Sequence, residues 1–262
     1  MDYKYRGAAE NRKGARSSVD LYRMIVRTDA IVLHSRKYGD TSRIVVLYTQ
    51  DLGKTSVVAK GVRKPTSQFG SALEPLSHCR TTIYHKPMRD LHTITAAETL
   101  TPRRTLRSSY DHLSAALAVC ETVMRTQREE EPNAEVFDLL AEGLALLESC
   151  TAPYAVGVQI RLQLANVMGF GLPDCGPPPA SVACAVRMTD GLLLHANNAG
   201  QNSTIRMATS AYGIVYAGIR NEAESVTNVN QADQLEIEAF LSAYFSHHLD
   251  RRVVSRTFDV MR

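Results

Sequence analysis

The hydrophobic pattern of the chain changes its period near Pro102, and this change constrains the fold more than any other feature. From Ile25 to about Glu98, short runs rich in β-branched residues alternate with turn residues, a pattern typical of strands. Beyond Pro102, apolar residues recur at helical spacing. The sequence therefore predicts an α+β protein of two domains, a strand-rich domain followed by a helical one.

The strand-rich half has the size of a small closed barrel. Closure of such a barrel removes exposed strand edges, and an OB-like barrel fits both the number and the length of the runs. We therefore predict an N-terminal OB-fold β-barrel over residues 24–102. The predicted strands are Ile25–Leu33, Ile44–Thr49, Ser56–Ala59, Arg80–His85 and Leu91–Ala97.

The second half, residues 103–262, is predicted to be an all-α domain of four helices around one core. Thr151 and Pro153 are the predicted cap and first turn of a helix that runs to about Met168. The other helices are indicated by the following apolar positions: Leu113, Leu117, Cys120 and Met124; Phe137, Leu140, Leu144 and Leu147; and Leu235, Ala239, Phe240, Tyr244 and Leu249.

Two segments lack this order. Residues 1–23 are polar, charged and aperiodic, and we expect them to be disordered. Residues 171–231 contain a run of three prolines, several Gly and Asn, and only short apolar pieces. We predict an irregular insertion there, with a short hairpin around Leu192–His195.

The charge of the chain is sorted by position. Residues 1–110 carry 20 Lys and Arg against 9 Asp and Glu, whereas residues 111–262 carry 10 Arg, no Lys and 18 Asp and Glu. The positive excess of the first half persists when residues 1–23 are left out. Such a division suggests that the barrel binds a polyanion and that the helical half has another task.

The remaining composition indicates the cellular compartment of the protein. The five cysteines are scattered, no apolar run approaches the length of a membrane span, and no secretory signal is evident. We therefore expect reduced thiols in a cytoplasmic, nucleoid-associated protein that does not enter a membrane.

The basic residues of the barrel cluster at predicted turns, where they can line one groove that follows phosphates. Base stacking requires exposed aromatic rings, and the candidates are Tyr38, Tyr84, Phe69 and His85. Few aromatic and many basic residues indicate binding to the nucleic-acid backbone with little reading of sequence. The predicted DNA-binding residues are Arg36, Lys37, Lys54, Lys60, Arg63, Lys64, Lys86, Arg89, Arg103 and Arg104.

The motifs of the first half resemble the RecO family of bacterial recombination mediators. The second half is similar more loosely, at Arg161-Leu162, Leu164, Gly169-Phe170, Leu241, Tyr244, Leu249, Arg252 and Ser255. The first-half resemblance is carried by Ala30-Ile31-Val32-Leu33, Arg36, Tyr38-Gly39-Asp40, Ser42, Ile44-Val45, Leu47-Tyr48-Thr49, Gly53, Ala59-Lys60-Gly61-Val62-Arg63-Lys64, Ser67, Leu73-Glu74-Pro75-Leu76 and Glu98.

The resemblance implies an OB-fold joined to a helical domain, with no catalytic site. It also implies DNA binding and annealing, and recombinase loading together with RecR and the single-strand-binding protein. The family often carries a four-cysteine zinc site near Cys175, but this chain has only Cys175 and Cys184 there, with a distant His195. These residues do not complete a tetrahedral site, so we expect no metal and no cofactor.

The helical half is then expected to bind the partners. The acidic, apolar C-terminal tail of the single-strand-binding protein requires an apolar notch with a local cation. The candidate cations are Arg125, Arg128 and Arg161. The acidic run Glu129-Glu130-Glu131 is expected to repel DNA and so confine it to the barrel.

These expectations converge on a monomeric, non-enzymatic DNA repair and recombination mediator that binds single- and double-stranded DNA and promotes strand annealing.

The sequence offers no clear catalytic pair. His78 and Cys79 are neighbours on a predicted strand and point to opposite faces, so they do not form a nucleophile–base pair. Two alternatives stay open. One is an RNA-binding OB-fold protein of translation or ribosome assembly, and the other is a scaffold whose basic barrel meets an acidic protein.

Overall fold

The computed structural model describes residues 25–65, 67–86, 89–180, 183–195, 203–226 and 228–249. The extension predicted to be disordered, residues 1–23, lies outside the described residues. No helix in the described part of the chain is both long enough and apolar enough to cross a membrane.

The first half folds into a closed five-stranded barrel in which β4 pairs back onto β1. Around the barrel the strand order is β1-β2-β3-β5-β4, and only the short contact between β3 and β5 is parallel. The predicted OB-like barrel is confirmed, and its strands are longer than predicted. They are β1 Ile25–Tyr38, β2 Ser42–Thr49, β3 Gly53–Ala59, β4 His78–Tyr84 and β5 His92–Thr101.

The interior of the barrel is filled by the inward-facing residues of all five strands and of the loop after β3. Cys79 of β4 belongs to this interior, where burial raises the pKa of its thiol to about 12. The thiol therefore stays protonated at neutral pH and does not act as a nucleophile. The barrel core consists of Ala30, Val32, Val45, Leu47, Val57, Ala59, Phe69, Ala72, Leu73, Cys79, Ile83 and Ile94.

The second half is built around one buried helix, α4. Because α4 is enclosed by its neighbours, every residue from Ala155 to Ala165 is buried except Gln163. Gly157 lets α2 approach closely, since a Cβ at this position would lie 3.2 Å from the Cβ of Ala115. The helices are α1 Arg104–Ser108, α2 Tyr110–Thr126, α3 Ala134–Ser149, α4 Pro153–Val167, α5 Thr209–Ile219 and α6 Gln231–Leu249.

One local prediction for these helices was wrong, and one helix has a buried face that its apolar positions do not show. Pro153 does occupy the first turn of α4, but the residue at the N-cap is Ala152, and Thr151 is exposed. In α6, Leu235 and Ala239, two of the apolar positions that indicated the helix, are exposed, whereas Ile237 and Phe245 are buried. The helix packs on α5 and β8, and Arg161 of α4 bonds to its Glu238.

Residues 171–231 contain more regular structure than the sequence predicted. The strands β6 Ala183–Arg187, β7 Leu193–His195 and β8 Thr204–Ala208 form a sheet of order β7-β6-β8, which is followed by α5. The predicted hairpin is present as β6 and β7, but the third strand and the helix were missed. Strands of three to five residues are too short to show a period.

The two halves meet where the loop between α2 and α3, residues 127–133, lies against the start of β3. We call this segment the junction loop. The backbone N–H of Glu130 donates to the carbonyl oxygen of Lys54 at 2.9 Å, and Lys54 forms a β-bridge with Glu129. The carbonyl of Glu131 lies 2.3 Å from where a Cβ of Gly53 would be. The contact therefore depends on a glycine at residue 53.

The outer face of β1 and β2 is covered by the helical half. Ile31, Leu33 and Tyr48 are buried in the same apolar cluster as residues of α2, α3 and α4. The hydroxyl of Tyr48 donates to the carbonyl of Asn133 at 3.4 Å, and burial raises the pKa of Tyr48 to about 12. The barrel and the helices thus share a continuous core, and this face of the barrel is closed to ligands.

We expect Gly53→Ala to destabilise the protein more than Gly39→Ala. Both glycines have positive φ, at +64° and +60°, but a Cβ at Gly39 meets nothing within 4 Å. Gly39→Ala should therefore cost only the left-handed backbone strain, about 1 kcal/mol. Gly53→Ala should cost about 3 kcal/mol, because the junction loop must also move. Urea denaturation measures both, and equal losses would contradict the close contact.

Candidate nucleic-acid interface

The β1–β2 turn and the start of the loop after β3 lie together at one end of the barrel. The strand register places Tyr38 opposite Ser42 and Arg43 opposite Ala59, so both connections leave the barrel on the same side. Five of the predicted DNA-binding residues lie here, and all are exposed. We call them the end cluster: Arg36, Lys37, Lys60, Arg63 and Lys64.

Hydrogen bonds from Arg63 join the two connections of the end cluster. Its backbone N–H donates to the carbonyl of Thr41 at 3.0 Å, and its guanidinium Nη1 donates to the carbonyl of Asp40 at 2.9 Å. Gly39 and Gly61 adopt positive φ, which allows each segment to turn sharply. The basic side chains are therefore presented on an ordered surface.

The charges of the end cluster are not neutralised by ion pairs. Among the described residues, no carboxylate lies within ion-pair distance of any of its five members. Unpaired cations grouped on one surface create a positive potential that attracts a phosphate backbone. The end cluster has the electrostatic character of a polyanion-binding surface.

The aromatic candidates have different surroundings. Tyr38 lies beside the end cluster and is 52% exposed, which leaves its ring available for stacking. Tyr84, at the end of β4, is half-buried. Phe69 is buried in the barrel core, so its interpretation as a stacking residue was wrong. His85 also lies away from the end cluster, at the junction with the helical half.

Three other predicted cations, Lys54, Lys86 and Arg89, lie toward the opposite end of the barrel. The loop before β5 contacts the junction loop through His85, whose Nε2 lies 3.0 Å from Glu130, and Glu130 bonds to Lys54 near the start of β3. That loop carries half-buried Lys86 and exposed Arg89. Seven residues of β3 separate this region from the end cluster, a span of about 20 Å. The predicted single groove is therefore divided into two regions.

Lys54 is not available to a phosphate. Its side chain is only 11% exposed and pairs with Glu129 at 3.5 Å, while Nζ donates to the carbonyl of Met124 at 2.9 Å. The prediction of Lys54 as a DNA-binding residue is corrected, because this lysine holds the junction loop on the barrel.

Arg103 and Arg104 have different environments despite their adjacency. Arg103 is buried, with Nη1 donating to Glu148 and Nη2 to the carbonyl of Ala141, both at 2.9 Å. Its predicted role in DNA binding is therefore corrected to a structural one. Arg104 is exposed at the start of α1 and stays a candidate.

The helical half contains a small recess between α2, α4 and α6 that brings two of the predicted tail-binding arginines together. Leu241 and Phe245 provide its apolar surface. Arg125 lies at the recess and pairs with Glu121 at 2.7 Å, whereas Arg128 is exposed near Glu131 and lies outside it. The full lining is Glu121, Thr122, Arg125, Arg161, Glu238, Leu241, Ser242 and Phe245.

Arg161 is already paired within this recess. Its guanidinium forms two hydrogen bonds with the Glu238 carboxylate, at 2.7 and 2.8 Å, and Tyr154 donates to the same carboxylate at 3.3 Å. Burial opposes the charge, but Glu238 outweighs it and keeps the pKa of Arg161 above its usual value. Arg161 is therefore corrected from a free ligand cation to a structural partner of Glu238.

The cysteines near the expected position of a zinc site are not part of a group of three possible metal ligands among the described residues. Cys184 is buried in β6, where its thiol contacts the carbonyl of Met207, and Cys175 is half-buried in the preceding loop. The side chain of His195 lies outside the described residues.

A cluster of metal-ligand residue types does occur elsewhere and was not predicted from the sequence. His85, His92 and Glu130 place their ligand atoms within 4.8 Å of one another. The available signal was a pair of histidines flanking one turn, but Glu130 joins them only because the junction loop docks on the barrel.

Taken together, the fold and the end cluster define an OB-fold protein with a positively charged surface at one end of the barrel and a helical domain packed on its side. The two candidate binding features, the end cluster and the recess, lie on the barrel and on the helical half, respectively.

Comparison with known proteins agrees with this class. Residues 24–103 match the family model described as "Recombination protein O N terminal", and residues 107–257 match "Recombination protein O C terminal". The chain therefore belongs to the RecO family.

Several proteins named "DNA repair protein RecO" are similar to this chain. That of Salinibacter ruber is 38% identical over 148 residues, 56% of this chain and 57% of the relative. That of Nocardioides sp. is 42% identical over 150 residues, 56% of this chain and 61% of the relative. These alignments span less than two thirds of either relative. That of Thermobifida fusca is 28% identical over 239 residues, 88% of this chain and 96% of the relative.

Proposed function

We propose that this chain binds single- and double-stranded DNA through the end cluster and acts in DNA repair and recombination as a mediator without a catalytic step of its own. The observation that carries the proposal is the group of five exposed, unpaired cations at one end of an OB-fold barrel. The names of the similar proteins, "DNA repair protein RecO", support a role in repair.

Strand annealing follows from the same electrostatics. Two phosphate backbones repel each other, and a shared cationic surface lowers the cost of bringing them together. The end cluster offers cations from two separate connections, the β1–β2 turn and the loop after β3. We propose that it screens two strands at once and so promotes annealing without making or breaking covalent bonds.

The basic residues outside the end cluster have a secondary role in this proposal. Lys86, Arg89 and Arg104 are at least partly accessible and extend the contact with longer DNA. Tyr38 stacks on a base next to the end cluster, and half-buried Tyr84 has less free surface to do so. Because most contacts are ionic, binding depends little on base sequence.

We expect DNA affinity to fall steeply with salt, and the fall to become shallower when lysines of the end cluster are neutralised. For Lys37→Gln/Lys60→Gln/Lys64→Gln, the slope of log K against log salt on single-stranded DNA should decrease by about 2, because each lost phosphate contact removes about 0.7. Fluorescence anisotropy over a salt series measures both slopes. Arg63 is kept because it holds the turn together.

The matched control is Arg128→Gln/Arg206→Gln/Arg220→Gln, which removes the same net charge from exposed residues of the helical half. This control should leave the slope nearly unchanged. An equal decrease in both variants would mean that net charge alone binds DNA. A clear preference for RNA over DNA of the same sequence would instead favour a role in translation or ribosome assembly.

The helical half supports a further part of the proposal, the docking of partners. An acidic peptide with an apolar end docks, in this proposal, over the recess that Leu241 and Phe245 line and at which Arg125 is the accessible cation. Arg125 is partly exposed and exchanges its bond to Glu121 for one to the peptide. We propose that the tail of the single-strand-binding protein binds here, and that RecR acts with the assembled complex to load the recombinase.

Substitution of Arg125 should weaken binding of such a tail. We expect Arg125→Ala to raise the Kd of a labelled tail peptide about tenfold, because the peptide carboxylates lose their paired cation. Arg128→Ala serves as the control, since Arg128 is exposed and lies outside the recess. Titration by fluorescence anisotropy compares them, and an equal effect of both substitutions would place the peptide elsewhere.

A further inference from the structure

Three side chains at the junction of the two halves have no part in the proposed function. His85 follows β4, His92 begins β5, and Glu130 comes from the junction loop. The Nε2 atoms of both histidines approach the same oxygen of Glu130, at 3.0 Å from His85 and 2.5 Å from His92. The two rings stack with centroids 4.4 Å apart, and the side chain of His92 is only 1% exposed.

The hydrogen bonds determine where the proton of His92 resides. The backbone N–H of Lys86 donates to His92 Nδ1 at 3.0 Å, so Nδ1 presents a lone pair. A neutral imidazole carries one proton, which must then be on Nε2, where it is donated to Glu130. His92 thus accepts a hydrogen bond from Lys86 and at the same time donates one to Glu130 of the junction loop.

This arrangement is unsuited to a metal ion. A metal ligated by Nε2 requires the lone pair of that atom, and the other nitrogen of a ligating histidine donates its hydrogen to an acceptor. The group that faces Nδ1 is the amide of Lys86, which is a donor. The three side chains are therefore arranged for hydrogen bonding and proton exchange.

We propose that neutral His92 is a proton-sensitive latch that joins Lys86, just after β4, to the junction loop, and that protonation of His92 opens the contact with Lys86. A proton on Nδ1 would place two donors against each other at the contact with Lys86, so the backbone at Lys86 must move away. The bond from Nε2 to Glu130 does not hold Lys86 in place. The latch is separate from the end cluster and does not depend on DNA binding.

The surroundings of His92 set the direction of the effect. It is faced by His85, by Glu130 and by Glu129, and Glu129 is itself paired with Lys54. Burial lowers the pKa of His92 below its usual value, and the bond to Glu130 offsets only part of this shift. The unfolded chain therefore takes up the proton first as the pH falls. The stability contributed by neutral His92 is complete above about pH 6.5 and is lost below it.

The amide of Lys86 reports directly on the latch. In the full chain, its protection from hydrogen exchange, corrected for the intrinsic rate, should decrease by about tenfold per pH unit once His92 begins to protonate. The amide of Leu162 in the buried helix α4 should stay protected over the same range, which separates loop release from unfolding. Protection of Lys86 that is independent of pH while the protein stays folded would overturn the proposal.

Two variants of His92 test its bond to Lys86 and its bond to Glu130 separately. His92→Asn places a non-titrating oxygen near the position of Nδ1, so Lys86 should stay protected at every pH tested. His92→Gln keeps a donor toward Glu130 but has no acceptor for Lys86, so protection should be lost at every pH. If His92→Asn lost protection with acid as the unsubstituted protein does, another group would be responsible and the proposal would fail.

A measurement on the unsubstituted protein covers the case in which a variant does not fold. Long-range ¹H–¹⁵N NMR correlations identify the tautomer of His92, and at pH 7.5 we expect the hydrogen on Nε2. A hydrogen on Nδ1 would contradict the proposal. Stoichiometric Zn²⁺ that displaces the Nε2 hydrogen would equally overturn it, since the cluster would then be a metal site.

Discussion

The docking of the junction loop on β3 is the contact on which the arrangement of the two halves depends. The backbone N–H of Glu130 has its acceptor on Lys54, and the side chain of Lys54 in turn reaches the end of α2. Backbone hydrogen bonds of this kind fix the relative register of the segments that make them, because a buried amide that loses its partner is costly. Gly53 allows the approach, since any side chain there would overlap the loop.

This contact also determines which charges stay available. The acidic run of the junction loop, expected from the sequence to repel DNA, is largely occupied by the barrel: Glu129 pairs with Lys54, and Glu130 accepts from two histidines. The end cluster lies at the other end of β3, where no described carboxylate neutralises it. The asymmetry of charge between the halves thus becomes, in three dimensions, an asymmetry between the two ends of the barrel.

Much of the fold could be predicted from the sequence because its signals are local. Each barrel strand combines β-branched residues with flanking turn residues, and α2 and α3 show clear helical periods. The sheet of β6, β7 and β8 could not be predicted in the same way, since its third strand pairs with a partner across residues 188–203.

The site was predictable only in part, for a related reason. The five cations of the end cluster lie on two connections that leave the barrel on the same side, which follows from the strand order. The burial of Lys54, Arg103 and Arg161 depends instead on acceptors distant in sequence: Met124, Glu148 and Glu238. A basic residue in sequence indicates charge, but only the fold shows whether that charge is already paired.

The central claim is that DNA lies on the end cluster, and photo-crosslinking tests it most directly. A benzophenone amino acid placed at Lys37, in the end cluster, should crosslink to single-stranded DNA with high yield. The same group at exposed Gln50, in the turn after β2 toward the opposite end of the barrel, should give little product. Equal yields, or a higher yield at Gln50, would contradict the account.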